Sequence, residues 1–163
     1  MAEMRRADRE IRDDDETRDV LERCHVVRVG FFDEEGPFIV PVNYGFVWRG
    51  RDAAVPLTVY AHSALARRKA RAIARGGTVA IEIDEPLGAI VGRTACAYSF
   101  AYRSIMGTGD VRVVEDDAEK REALQRVMEH EAGPGAWDFP QAALDRVLVW
   151  AVDVRELSGK AHA

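Results

Sequence analysis

The sequence predicts an α+β protein, a small antiparallel barrel of six or so strands with a few helices outside it. Three observations carry that prediction. Short β-rich runs are joined by turns too short for crossover helices, so neighbouring strands run antiparallel. Helical patterning is confined to a few separate segments. One long β segment carries Gly107 and Gly109, where a closing sheet can bend or bulge.

The elements follow in order. Residues 1–12 mix Arg, Asp and Glu with few apolar anchors, and are expected to form a mobile arm ahead of a single domain over 13–160. Asp13 to Glu16 supply negative charge where a helix start favours it, before a short amphipathic helix over Thr17 to Cys24. Val27, Val29 and Phe31 then alternate as a strand, and Asp33-Glu34-Glu35-Gly36 makes a hairpin turn. Pro37 to Trp48 reads as the second strand and Leu57 to Ala61 as the third of an antiparallel meander. A helix over Ala64 to Arg75 stops at Gly76-Gly77. Thr78 to Asp84 is a strand broken by Glu85-Pro86-Leu87-Gly88, and Tyr98 to Val114 is the long β segment. Helices over Asp116 to Glu131 and Gln141 to Asp145 precede a last strand, Val147 to Val154, that is apolar on both faces. That strand suggests a large apolar interface and an obligate symmetric dimer.

Composition narrows the function. With 163 residues, 47% of them apolar, the chain can bury a core without disulfide or metal staples. Its net charge of -5 argues against sequence-independent nucleic-acid binding and against a membrane surface. No apolar run approaches the ~18 residues of a spanning helix. Cys24 and Cys96 lie outside any CxxC spacing and read as reduced core thiols of a cytoplasmic protein. His25, His130 and His162 have no metal-ligand spacing with one another or with the cysteines, so no metal site is expected.

The most informative stretch runs from Tyr60 to Lys69. On a helical projection Leu65, Ala66, Ala70, Ala72 and Ile73 share an apolar arc, and Arg67, Arg68, Arg71 and Arg75 lie opposite on a solvated face. Lys69 falls inside the apolar arc, so it either snorkels to the edge or meets an anion. Ser63 is a plausible N-cap, and an uncompensated helix start favours a phosphate. His62 is either a hydrogen-bonded strand-end residue or a proton-handling group of the same pocket. The runs Val40 to Phe46 and Tyr98 to Ser104 mix polar and aromatic residues, for strand packing or for lining a flat ligand. Gly107-Thr108-Gly109 lacks the context of a nucleotide fingerprint, and no GxSxG elbow is present.

Taken together, Val40-Pro41-Val42-Asn43-Tyr44-Gly45, His62-Ser63-Ala64, Thr94-Ala95-Cys96-Ala97-Tyr98, Tyr102-Arg103-Ser104-Ile105-Met106-Gly107-Thr108-Gly109 and Leu157-Ser158-Gly159-Lys160 resemble the nitroimidazole-resistance family. That family is a branch of the pyridoxamine 5'-phosphate oxidase-like, FMN-binding split-barrel proteins, and the resemblance runs from about Met4 to Lys160. It implies a split β-barrel homodimer with FMN at the interface. His62, Ser63, Arg68 and Lys69 match the phosphate corner, whereas Pro41, Val42, Asn43 and Tyr44, with Arg103 and Ser104, match strands lining the flavin ring. The implied activity is reduction of small nitroaromatic compounds with electrons from NAD(P)H as a transient donor. His62 is read as the proton-handling catalytic residue of that site. A non-enzymatic flavin- or haem-binding sensing module is the alternative. Two positions depart from the family pattern: Arg67 stands where Gly is common, and Gly76-Gly77 where Asn-Pro is common.

Overall fold

Asp13 caps the first full helix, its carboxylate accepting from the main-chain N–H groups of Asp15 and Glu16. The computed structural model describes residues 6–163. After a 3-10 turn, Ala7–Arg9, come β1 (Glu10–Ile11), α1 (Asp14–Arg23), β2 (Val27–Asp33), β3 (Gly36–Val42), β4 (Gly45–Trp48) and β5 (Leu57–Ser63). The chain continues as α2 (Arg68–Arg75), β6 (Gly77–Ile90), a second 3-10 turn (Ala95–Ala97), β7 (Ser99–Val113), α3 (Asp117–Ala132), α4 (Gln141–Leu144) and β8 (Leu148–His162).

The described residues therefore form eight strands rather than six, for two reasons. The expected strand Pro37 to Trp48 breaks at Asn43-Tyr44 into β3 and β4, and the expected arm contributes β1. Glu10 pairs with Lys160 and Ile11 with Gly159, and Ile11 is buried against the core. Residues 1–5 of the expected arm lie outside the described residues.

All pairings are antiparallel, in the order β3-β2-β6-β7-β8-β5-β4, with β1 added to β8. The predicted three-stranded meander is instead two hairpins, β2–β3 and β4–β5, at opposite edges of the sheet. Yet Val42 and Gly45 are only three Cα steps apart, at most about 11 Å. The sheet must curl until its two edges face one another. No strand pairing joins β3 to β4 among the described residues, so the curled sheet stays unclosed along that seam.

Alternation decides what fills the curl. Val27, Val29, Phe31, Leu57, Val59, Ala61, Ile81, Ile83, Trp150, Val152 and Val154 point inward with Val20 and Leu21 of α1. On the other face, Tyr60, Val149 and Ala151 pack under Ala123, Leu124 and Val127 of α3 and Leu144 of α4. The apolar character of β8 on both faces is thus used within the chain and does not mark an interface. Gly45 is required where α3 crosses β4, because a Cβ there would lie 2.3 Å from the Val127 nitrogen.

The expected bend at Gly107–Gly109 is a register shift between Thr108 and Gly109 against β8. A Cβ on Gly109 would lie 2.3 Å from the Asp153 carbonyl oxygen. β6 does not stop at Glu85 but runs on to Ile90, absorbing the irregularity as a shift between Pro86 and Gly88. Cys24 is buried, donates to the Asp84 carbonyl at 3.4 Å, and has its thiol pushed up to about 11, mainly by burial. Cys96 is exposed on the second 3-10 turn, so it is not the core thiol expected. Among the described residues no helix is long and apolar enough to cross a membrane.

Candidate functional site

The corner between β5 and α2 is built by strand alternation and one unusual residue. Leu57, Val59 and Ala61 of β5 face the core, which puts Ser63 on that inner face and His62 on the other. Trp150 pairs with Ala61 and shares this inner face. Ser63 Oγ and Trp150 Nε1 are both buried with no hydrogen-bond partner among the described residues. Buried polar atoms of this kind ordinarily find a partner in water or ligand.

Ser63 is not the cap of α2. The helix starts at Arg68, four residues later than predicted, and Arg67 occupies the N-cap position with φ 88° and ψ -179°. Arg67 is the only non-glycine residue at positive φ among those described. Its conformation is one that glycine adopts and other residues resist. No side chain caps this helix, so its first-turn N–H groups carry no side-chain acceptor.

The basic residues of α2 divide by partner. Arg68 donates from Nε and Nη2 to the two Asp33 carboxylate oxygens at 2.8 and 2.7 Å, and to the Gly36 carbonyl at 2.9 Å. Its guanidinium also lies 4.1 Å from the centre of the Phe38 ring. The Arg68 hydrogen bonds lower the Asp33 pKa. Arg71 faces Glu35 at 3.5 Å, and Arg75 donates to the Phe32 carbonyl at 2.6 Å. What was expected as a solvated face is a clamp on the β2–β3 hairpin. Lys69, on the apolar side of the helix, has no acidic partner among the described residues, and burial lowers its pKa. The His62 pKa is also lowered, by desolvation first and then by the Lys69 charge, so the two side chains share one corner.

Other residues selected from the sequence lie elsewhere. Pro41 is exposed on the outer face of β3, and Val42 packs against the core. Asn43 donates to the His25 carbonyl at 2.9 Å and to Glu131 at 3.1 Å. Tyr44 is fully buried and donates its hydroxyl to the Leu21 carbonyl at 2.8 Å. Arg103 pairs with Glu85 and Asp19, whereas its neighbour Ser104 points to the opposite face.

Distance separates these groups into two ends. Ser63 pairs with Leu148 and Ser104 with Lys160, twelve residues further along β8. At 3.3 Å per residue that is roughly 40 Å along the strand. One chain brings Lys69 close to His62, with Ser63 on the opposite face of the same strand end, and keeps all three away from Arg103 and Ser104.

An apolar groove of about 450 Å³ crosses the outer face of β2, β3, β6, β7 and β8, lined in part by Gly30, Ile39, Ala80, Met106 and Ser158. Ile39 is 69% exposed and Met106 49%. Sequence reasoning passed over this face, although alternation with the core residues Val29 and Ile81 was available to mark it.

This architecture has known relatives. A family model for pyridoxamine 5'-phosphate oxidase matches residues 13–161. The chain belongs to that family. A structure from Bacteroides thetaiotaomicron, of a protein proposed to act in 5-nitroimidazole antibiotic resistance, is 30% identical over 93% of this chain and 86% of that one, with TM-score 0.75. The flavocytochrome Anf3 of Azotobacter vinelandii is 20% identical, with TM-score 0.79 over 99% of this chain and 72% of its own. An FAD- and haem-binding protein of Mycobacterium smegmatis is 20% identical, with TM-score 0.78 over 94% of this chain and 73% of its own. These last two share the fold. No functionally curated protein matches the sequence. At the β5–α2 corner of this chain, Lys69 stands in the first turn of a helix that no side chain caps.

Proposed function

We propose that the protein is a flavoprotein that holds FMN across a symmetric homodimer and reduces small nitroaromatic compounds with electrons from NADH or NADPH. The β5–α2 corner carries this reading: Lys69, in the first turn of a helix that no side chain caps, has no acidic partner among the described residues. Those donors fit a phosphate dianion. Family membership and the flavin-binding relatives support a flavin as the group that carries it.

Bound there, a flavin supplies the electron transfer, and the protein supplies position, dryness and electrostatics. Lys69 and the first-turn N–H groups of α2 anchor the phosphate. His62, its pKa lowered, is a neutral imidazole at pH 7, with one ring N–H and one bare nitrogen to exchange a proton with the substrate. Arg68 acts through structure, holding the hairpin against α2 and thereby fixing the direction of the helix start.

The twelve β8 positions between the two groups of residues in one chain suit a site completed by a partner protomer. A two-fold axis across the groove at Ile39 and Met106 gives each flavin the Lys69 corner of one protomer and the Arg103–Ser104 end of its partner. A reducing, cytoplasmic setting suits the two unpaired cysteines.

The test is the absorption spectrum of the purified protein, followed by anaerobic addition of NADH and of NADPH. A flavin spectrum bleached by either donor and restored by a nitroaromatic acceptor is expected. A bound flavin that neither donor bleaches leaves a binding module. A haem spectrum, or a protein that takes up no FMN, overturns the proposal.

A further inference from the structure

Beside the joint between β3 and β4, segments remote in sequence converge on one carboxylate. Glu131, near the end of α3, lies 3.5 Å from His25 Nδ1 through Oε2 and 3.8 Å from His130 Nδ1 through Oε1. One nitrogen of each histidine and a Glu131 oxygen all fall within 4.8 Å of one another. His130 is the buried member, its side chain 7% exposed.

We propose that His25, His130 and Glu131 form a binding site for a divalent ion of the zinc class. Two imidazoles and a carboxylate are a donor set that such ions take, with a remaining position for water. The surroundings raise this above a chance cluster. A metal-bound histidine usually fixes its second nitrogen on a carbonyl, and a metal-bound carboxylate is itself hydrogen-bonded. Here His130 Nε2 lies 3.2 Å from the Glu22 carbonyl, and the Asn43 amide donates to Glu131 at 3.1 Å.

Two contacts must change when an ion enters. His130 Nδ1 lies 2.7 Å from the Tyr44 carbonyl, a contact that requires a proton on that nitrogen. The ion displaces this proton to solvent, and the Tyr44 carbonyl must swing off the Nδ1 lone-pair axis that the ion takes. His25 stacks on His130 with ring centroids 5.2 Å apart, and must turn to aim Nδ1 along its ring plane. Its side chain is 55% exposed, which leaves room for that rotation. Sequence spacing excluded this site because its histidines meet only through the tertiary fold.

Cobalt(II) is the probe, added to the whole chain without an affinity tag. A visible absorption band of a four- or five-coordinate ion is expected, discharged by zinc, together with a zinc-dependent rise in Tm. His25→Ala, an exposed change, and Glu131→Gln should each weaken cobalt binding at least tenfold. Asn43→Ala, which removes only a supporting contact, should weaken it by about 10- to 100-fold. His162→Ala should leave it unchanged. The assignment is overturned if wild type gives no cobalt band, or if His25→Ala and Glu131→Gln bind cobalt as wild type does. In either case the three residues are a hydrogen-bonded clasp.

Discussion

Tyr44 and Leu21 are joined by a hydrogen bond from a fully buried phenol to a main-chain carbonyl, 2.8 Å long, that ties the β3–β4 joint to α1. Burial also raises the Tyr44 pKa, so the hydroxyl stays a donor throughout the working pH range. This side chain belongs to the core.

Tyr44→Phe should leave the Leu21 carbonyl buried without its partner, at a cost of about 1–2 kcal/mol. For a chain of this length that lowers Tm by roughly 2–8 °C. The flavin spectrum and affinity should not move. A changed spectrum with unchanged Tm would mean that Tyr44 reaches the ring.

Lys69→Ala removes a charge-assisted contact to the phosphate worth about 1.5–3 kcal/mol. FMN affinity should fall by roughly 10- to 150-fold. Arg75→Ala, which loses only its contact to the Phe32 carbonyl, should stay within about twofold. Riboflavin, lacking the phosphate, should bind both variants equally in a fluorescence-quenching titration. Equal FMN affinities for the two variants would remove Lys69 from the site.

Arg67→Gly places the residue suited to φ 88° at the start of α2. Relief of the backbone, less the entropy of glycine in the unfolded chain, should stabilise by about 1 kcal/mol. Thermal melts should shift upward by roughly 2–4 °C. A fall in Tm would show that the Arg67 side chain contributes more than its backbone costs.

His62 gives stability a pH dependence of known sign. Its folded pKa lies below the unfolded value near 6.5, so below that pH the unfolded chain binds the extra proton. Stability is lost as pH falls from about 6.5 toward the folded pKa, then levels off for this group. His62→Gln should flatten part of that slope in melts between pH 7 and 5, and so should Lys69→Ala. Unchanged slopes in both would separate the two residues.

Ile39→Asp with Met106→Glu puts two charges on the exposed outer groove. Sedimentation should shift from dimer to monomer while circular dichroism stays native, because both side chains lie outside the core. FMN binding should weaken with the loss of the partner. A double variant that still sediments as a dimer would place the interface elsewhere.

Local chemistry is what the sequence exposes well. Alternation placed Val27, Val29 and Phe31 inside, and helical patterning located α3 to within a residue of its start at Asp117. Topology was not visible, because β3 and β4 follow one another yet occupy opposite edges, and nothing in Asn43-Tyr44 announces that separation. The partners of α2 were hidden for a similar reason. Asp33 lies 35 residues from Arg68, so a helical projection could only draw Arg68 on a bare face. The start of α2 was misread because Ser63 is a good cap by type but ends a strand facing inward. Arg67, read as part of the solvated arginine face and as a departure from a family pattern, holds the glycine-like backbone itself.

The position of β8 governs how the chain can be made. It pairs with β7, β5 and β1, yet follows every other strand in the chain. A ribosome therefore releases the hairpins β2–β3, β4–β5 and β6–β7 before the strand that connects β5 to β7 exists. Until β8 emerges, the edges of β5 and β7 that will receive it stay unpaired, and such edges invite pairing with other chains. This sheet therefore cannot be completed until β8 has been synthesised, which concentrates its vulnerability to pairing with other chains in the interval before.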